Sequence, residues 1–167
     1  MATTIDTALD VYASTPAVLR ALLSDLADGI ASQPADGDWS PHDVVVHLTS
    51  LDPHSMVGRV RAILDQDDPI IPDLDEQDVL ERSGLRDRPL ADVLDQMTRQ
   101  RAEALVWLRP LTPAQLARTG RHSAAGPLSA GDIIHHKAWH DLQHIQQICQ
   151  MLSGPLHEGS GAMRKYH

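Results

Sequence analysis

Residues 133–152 read IIHHKAWHDLQHIQQICQML. Apolar residues recur in this stretch at intervals of three and four, which is the period of an amphipathic α-helix. At 100° per residue they occupy an arc of roughly 180°, so one face of the helix is expected to lie in a protein core. The pattern predicts a helix that begins at Ser129 and ends near Ser153, with Gly154 as its left-handed cap.

Polar residues interrupt this apolar arc at informative places. His140 lies on its edge and His144 lies inside it, so two imidazoles about 6 Å apart along the axis can bind one ion. Asp141 falls in the middle of the arc, where a carboxylate must be paired. A tie to another helix is the favoured interpretation, and a contact behind the metal ligands is the alternative. Leu142 and Cys149 are predicted to be buried, the cysteine as an inert thiol.

A second helix is predicted to begin at Ser40. Ser40 can cap it, Pro41 suits the first helical position, and Asp43 completes a capping box. Trp39, just before the cap, is expected to pack on the first turn. His47 borders the apolar face of this helix and is the third candidate ligand for the same ion.

Pro53 lies inside this helix and is expected to kink or restart it, because proline has no N–H to donate. Asp52 is a candidate cap for the second half. His54 lies about 10 Å further along the axis than His47. It should not bind the same ion unless the kink bends it inward.

The remaining elements complete an all-α fold. Residues 66–89 are rich in Pro and Asp and are predicted to form a long crossover between helices 2 and 3. No convincing strand is found, so we expect a four-helix bundle in one domain, residues 1–167, with a core over about 12–153 and a loose tail over 154–167. The other predicted helices cover residues 15–32, 76–81 and 90–108, with a short one after Thr112.

Composition limits the functional classes. The chain has 167 residues, which fits one domain, and its net charge of −9 disfavours binding to nucleic acid. The single cysteine rules out an intrachain disulfide. No signal peptide and no apolar stretch near the roughly 20 residues of a membrane span are found. These features predict a cytoplasmic protein without nucleic-acid or membrane partners.

Three imidazoles with an open fourth position are typical of a catalytic zinc site, although nickel, iron and copper also accept such ligands. Other interpretations compete with this one, because a histidine on a helix face is commonly a hydrogen-bonded boundary residue. The overlapping pair His136 and His140 shows how readily a histidine-rich helix produces the spacing. The zinc-protease motif is absent, since Lys137 and Asp141 follow these two histidines. Surface or loop positions are predicted for three further histidines, His42, His122 and His157.

The motifs resemble those of a known family. Trp39-Ser40-x-x-Asp43-x-x-x-His47-Leu48 resembles the helix-2 motif of the DinB/YfiT-like superfamily of four-helix-bundle metalloenzymes. His140-Asp141-x-x-His144-x-x-Gln147-Ile148 resembles its C-terminal helix motif, and the likeness covers about residues 12–153. The sequence departs from the family at Asp43, where Glu is usual, and at Pro53.

This resemblance implies an up-down-down-up bundle and a divalent metal, with zinc and nickel favoured, bound by His47, His140 and His144. It also implies a homodimer. Some relatives are thiol-dependent transferases or isomerases in which the metal activates a low-molecular-weight thiol.

Three functions follow, and whether the protein is an enzyme is open among them. The first is a metal-dependent thiol S-transferase, in which a thiolate attacks an electrophile. Arg59, Arg61 and Lys137 are candidates for binding the thiol's carboxylates, although solvation of helix faces is the favoured role. The second is a hydrolase using metal-bound water, for which no general base is clearly placed. The third, ranked close behind the first, is a non-catalytic metal-binding stress-response protein.

Overall fold

The computed structural model describes residues 3–26, 29–34 and 39–166. In chain order the elements are α1 (Ile5–Leu23), α2 (Pro41–Asp52), α3 (Arg59–Asp65), β1 (Ile70–Ile71), α4 (Glu76–Ser83), α5 (Leu90–Leu108), α6 (Pro113–Leu116), β2 (Thr119–His122), β3 (Gly126–Ser129) and α7 (Ala130–Gly159). The bundle consists of α1, α2 continued by α3, α5 and α7. Among the described residues, no helix is both long enough and apolar enough to cross a bilayer.

The four long helices run up, down, down, up, as predicted. The helices α1 and α5 are antiparallel, as shown by the ion pairs Asp10–Arg109 and Arg20–Asp95. By contrast α1 and α7 run parallel, because the start of α1 lies beside the start of α7, where a ring nitrogen of His135 is 3.1 Å from the carbonyl oxygen of Thr3.

Contacts along α2 give the remaining directions. On α2, His47 contacts His144, and the later Asp52 pairs with Lys137, which precedes His144 on α7. The helices α2 and α7 are therefore antiparallel. It follows that α2 and α5 are parallel neighbours. Parallel neighbours cannot be joined by a tight turn, which explains the long crossover over residues 66–89.

The core has two apolar clusters with a polar layer between them. One cluster contains Leu9, Val60 and Leu108, and the other contains Leu19, Leu48 and Ile148. On each long helix a buried polar residue separates the two clusters, namely Thr15, Asp52, Arg101 and Asp141. The polar layer therefore crosses the whole bundle at one level.

The first helix begins earlier than predicted. It is capped by Thr4, and Pro16 lies inside it, so the predicted start at Thr15 is wrong. A proline inside a helix leaves the carbonyl four residues earlier, here that of Tyr12, without its amide donor. Arg101 Nη1 supplies the missing hydrogen bond to this oxygen at 3.0 Å. A side chain of α5 therefore allows α1 to continue through the proline.

The predicted restart after Pro53 takes the form of one widened, π-helical turn over Pro53–Gly58, after which α3 begins. Gly58 is needed here, because a Cβ atom at this position would lie 3.0 Å from the Pro53 carbonyl oxygen. The prediction of Asp52 as a cap is wrong, since its carboxylate points into the bundle and pairs with Arg101 at 2.8 Å.

A small sheet was not predicted. Strand β1 pairs in parallel with β2, and β2 forms an antiparallel hairpin with β3. The expectation that the chain contains no strand is therefore wrong, because strands of two to four residues are too short to give a clear alternation of apolar and polar residues. The sheet holds the crossover against the segment that precedes α7.

Two features of α7 also differ from prediction. It runs through Gly154, whose backbone is not left-handed, and ends at Gly159. Residues 153–159 are exposed, so no packing forces the chain to turn at Gly154. Around the helix axis, at 100° per residue, the arc of buried side chains ends at Ala138, which lies about 160° from His140. Leu142 and Cys149 lie beyond that arc and are exposed, contrary to prediction.

Candidate metal centre

The three predicted histidines are carried by two well-capped helices. The Ser40 N–H donates to Asp43 Oδ2 at 2.9 Å, and the Asp43 N–H donates to Ser40 Oγ at 3.1 Å. His47 follows one turn later on α2. The same arrangement of Ser129 and Asp132 begins α7, which carries His140 and His144. Capping boxes fix where each helix begins, and thus which side chains face inward.

The three rings meet in the bundle. Their centroids are 5.4 Å apart for His47 and His140, 4.7 Å for His47 and His144, and 4.5 Å for His140 and His144. One ring nitrogen from each lies within 4.8 Å of the others. Among the described residues this is the one group of three or more His, Cys, Asp or Glu side chains that could hold an ion. His54 is exposed and lies outside it.

Hydrogen bonding indicates which nitrogens face the centre. His144 Nδ1 lies 2.7 Å from Gln147 Oε1, an acceptor, so Nδ1 carries the hydrogen and Nε2 presents a lone pair. That Nε2 lies 3.2 Å from His140 Nε2. Gln147, which belongs to the same C-terminal helix motif, thus orients the His144 ring.

Buried nitrogens without partners test whether a cation fits here. Both ring nitrogens of His47, which is 3% exposed, and Nδ1 of His140 have no hydrogen-bond partner among the described residues. Buried polar atoms of this kind are rare and call for an explanation. A divalent ion accepts one lone pair from each ring and would give one of the two His47 nitrogens a partner, so the donor set fits a metal such as zinc.

The histidines are held in the neutral form that a metal requires. Burial, reinforced by the neighbouring His144 and His140, lowers the pKa of His47 to about 3. Burial and the nearby Lys137 lower the pKa of His140 to about 3, and burial also lowers the pKa of His144. All three imidazoles are therefore unprotonated at neutral pH, when their lone pairs are free for coordination.

Behind the histidines lies a buried ionic network. Arg101 pairs with Asp141 at 2.5 Å and with Asp52 at 2.8 Å, and Lys137 Nζ lies 2.5 Å from Asp52 and 3.1 Å from Asp141. Burial opposes the charge of Asp141, but Arg101 and Lys137 outweigh it and the pKa of Asp141 is lowered. The predicted interhelix tie of Asp141 is thus observed. The expectation that Lys137 solvates a helix face is wrong, because it is 4% exposed and neutralises these carboxylates.

Glu76 lies at the mouth of the centre and was not recognised from the sequence. It is the first residue of α4, within the crossover, and its Oε2 lies 4.0 Å from His47 Nδ1 with 59% of the side chain exposed. The Asp75 cap signals a helix start at this point, but no local pattern shows that α4 packs beside α2.

A pocket of about 420 Å³ adjoins the centre, and His140 forms part of its wall. Arg59 and His136 line it, whereas Arg61 stacks on Trp107 outside it. His122 also lines the pocket and is 8% exposed, contrary to its predicted surface or loop position. The unpredicted hairpin of β2 and β3 is what brings His122 inward.

Trp39 combines packing with a ring contact. It packs against the apolar cluster around Leu48, as predicted, and its ring centroid lies 5.1 Å from that of His47. It therefore forms part of the wall that holds His47 in place.

Comparison with known proteins gives a consistent result. A sequence model of the DinB superfamily matches residues 12–148. A protein of Oceanobacillus iheyensis, named as a candidate metal-dependent hydrolase, is 25% identical over 115 residues, which are 69% of this chain and 66% of that protein. The chain therefore spans just under two thirds of the length of this relative.

Two solved structures share the fold. YfiT from Bacillus subtilis, described as a candidate metal-dependent hydrolase with an unusual four-helix-bundle topology, superimposes with a TM-score of 0.78 at 23% identity over 88% of this chain and 85% of its own. The four-helix-bundle protein TT2238 superimposes with a TM-score of 0.63 at 24% identity over 88% and 99%. At these identities the likeness establishes the bundle fold.

Proposed function

Because the chain belongs to the DinB superfamily, we propose that it is a metal-dependent hydrolase that binds one divalent ion through His47, His140 and His144. The observation that carries this proposal is the meeting of three neutral imidazoles beside an open pocket. The names of the relatives support hydrolysis as the reaction.

The ion would supply Lewis acidity toward a substrate carbonyl and toward water. Zinc suits three imidazoles and nickel is the other favoured ion, so its identity is a matter for metal analysis. The chain supplies the rest of the site. Gln147 fixes the His144 ring, and the network around Asp141 holds α7 against α2.

Glu76 is the proposed general base. Its exposed carboxylate lies at the mouth of the centre and is not held by a hydrogen bond to another described residue, so it is free to turn toward a bound substrate. It would take a proton from the attacking water as the water oxygen bonds to the carbonyl carbon. It would then return that proton to the leaving oxygen or nitrogen.

Thiol S-transfer is a second candidate, and one observation favours it. Arg59 lines the pocket without an ion pair to another described residue, so it could bind a carboxylate of a low-molecular-weight thiol. The thiol sulfur would then attack an electrophile held in the same pocket. A non-catalytic metal-binding protein is the remaining alternative.

Metal analysis combined with two reaction panels tests these candidates. We expect one divalent ion per chain in the purified protein, and ester or amide hydrolysis that falls at least about 100-fold in Glu76→Gln with metal content retained. Glu81→Gln, one turn along the same exposed helix, is the matched control and should leave the rate unchanged. His144→Ala should lose both metal and activity.

The alternatives give different results in the same experiment. Conjugation of an electrophile to one thiol, without hydrolysis, would favour the transferase. A bound metal without turnover of any thiol, ester or amide would favour the non-catalytic protein. Failure to bind any divalent ion would remove the basis of all three.

The proposal extends to assembly and location. We infer one domain over residues 1–167 and a homodimer, the latter supported by apolar side chains exposed on α1 and α7, Val18, Trp139 and Leu142. Light scattering after size-exclusion chromatography would test it, and a monomer at micromolar concentration would count against the dimer. A cytoplasmic location stays a prediction from composition.

A further inference from the structure

We propose that the substrate carries a free carboxylate that binds Arg59 and His122, on the part of the pocket wall outside the three-histidine centre. This inference rests on the proposed function and adds a substrate class to it. The substrate would be a small ester or amide with an apolar body and one free carboxylate.

Arg59 is an available cation in the pocket. Its side chain is half-buried on α3, and it makes no hydrogen bond and no ion pair within 4.0 Å to any other described residue. The other cation in the lining, Lys137, is already paired with Asp52 and Asp141. Burial lowers the pKa of Arg59, because the guanidinium loses part of its hydration without gaining a hydrogen-bonded partner. A ligand carboxylate would supply that partner in the two-pronged geometry that guanidinium favours.

His122 offers a second donor with a fixed hydrogen position. Its Nδ1 accepts from the backbone N–H groups of Ala124 and Ala125, each at 3.2 Å, inside the hairpin of β2 and β3. The hydrogen of the neutral ring must therefore be on Nε2. No described residue accepts from Nε2 within hydrogen-bond distance, since the nearest carboxylate, Asp73 Oδ1, is 3.8 Å away. The pocket wall thus presents an N–H group that lacks an acceptor.

Asp73 is the acid that lies beside the two proposed donors. Its carboxylate is close to His122 and attracts Arg59, yet it is hydrogen-bonded to neither and its side chain is 70% exposed. A ligand carboxylate could therefore displace it and bind both donors. The further acids in the lining, Glu76 and Asp132, disfavour a ligand with two negative charges in this pocket. A monoanion is accordingly favoured over a phosphate dianion.

The rest of the lining limits the body of the substrate. Apart from Ser55, the remaining wall is apolar and includes Leu51, Met56, Leu128 and Ile133. A short hydrocarbon chain or a ring would fill this space between the carboxylate and the reacting group. Half-esters of dicarboxylic acids and N-acylated amino acids belong to this class.

Binding of simple probes to the full-length chain tests the carboxylate site directly. Hexanoate, hexanamide and hexylamine have the same body and differ in charge. Because a carboxylate can also bind a metal, the titrations are run by calorimetry on both metal-free and zinc-loaded protein. We expect hexanoate to bind the metal-free protein at least about tenfold more tightly than hexanamide, the size expected for a charge-assisted hydrogen bond.

Two variants on one helix separate the site from general charge. Arg59→Gln should abolish the preference for hexanoate, whereas Arg61→Gln removes an equal charge outside the pocket and should preserve it. Arg59 and not His122 is replaced in this test, because replacing His122 would also remove hydrogen bonds that hold the hairpin together. Equal binding of hexanoate and hexanamide, tightest binding of hexylamine, or an unaltered preference in Arg59→Gln would each overturn the inference.

Kinetics separate this inference from the proposed function. The zinc-loaded enzyme should hydrolyse monoethyl adipate faster than diethyl adipate. Arg59→Gln should remove that preference, whereas Arg61→Gln should keep it. Equal rates for the two esters, unaffected by Arg59→Gln, would overturn the carboxylate site and leave hydrolysis standing. A carboxylate preference in binding with no hydrolysis of either ester would support the site and reject the hydrolase.

Discussion

His47 and His140 show how single buried side chains couple the site to the stability of the fold. The unfolded chain would protonate an imidazole near pH 6.5, whereas burial lowers the pKa of each of these two residues to about 3 in the folded protein. Above pH 6.5 both states are neutral and neither histidine affects stability. Between pH 6.5 and about 3 the unfolded state binds protons that the folded state does not bind. The free energy of unfolding must therefore fall as the pH falls.

This gives a prediction for the metal-free protein. Urea unfolding in the presence of EDTA should show stability decreasing from pH 6.5 to pH 5 by up to about 1.4 kcal/mol per pH unit for each of the two histidines. His47→Gln should reduce the slope, because one of the buried imidazoles that take up protons only on unfolding is then absent. The exposed His54→Gln is the control and should keep the wild-type slope. A stability that does not change over this range would contradict the neutral, buried state of the triad.

At the scale of elements, Arg101 joins the four long helices. Its guanidinium pairs with Asp52 on α2 and Asp141 on α7, and it donates to the carbonyl of Tyr12 on α1. Its position on α5 thus explains both the buried acids and the helix that continues through Pro16. Asp141 directly follows His140 on α7, so the same arginine holds the two histidine-bearing helices together.

We therefore predict that Arg101→Met lowers the free energy of unfolding by about 3–5 kcal/mol, because it leaves buried carboxylates incompletely neutralised. Arg99→Met, an exposed arginine on the same helix, should change it by no more than about 0.5 kcal/mol. Urea denaturation followed by circular dichroism measures both. Equal stability of the two variants would mean that the network contributes little to the fold.

At the scale of the whole molecule, the proposed ion would join α2 to α7, two segments that are far apart in the chain. A ligand that binds only the folded state stabilises it, by about 2.7 kcal/mol when its concentration is 100 times its dissociation constant. We predict that zinc raises the melting temperature of the wild-type protein and that His47→Ala loses this gain together with bound metal. Helical content should stay near normal, since α2 keeps its capping box.

His54→Ala is the matched control for this prediction, because it removes an exposed imidazole from the same part of the chain. It should retain both the bound zinc and the gain in melting temperature. Unchanged metal stoichiometry in His47→Ala would count against that residue as a ligand.

Features that depend on neighbours in the chain could be predicted from the amino-acid sequence. The capping boxes at Ser40 and Ser129, the full extent of α5, and the spacing of His140 and His144 all follow from helical period and end signals. The helical period also placed His47, His140 and His144 on inward faces of their helices. Inward faces share one core once the helices pack, so a meeting of the three rings was expected from the sequence.

Features that depend on partners distant in the chain became visible in the folded protein. The true start of α1 depends on Arg101, and the pocket positions of Glu76, Arg59 and His122 depend on how the crossover and the small sheet fold back. Lys137 is likewise buried because it forms ion pairs with carboxylates on two helices, Asp52 on α2 and Asp141 on α7. Local periodicity reports which way a side chain points along its own helix, but the free energy of a buried polar group depends on partners that the local pattern does not contain.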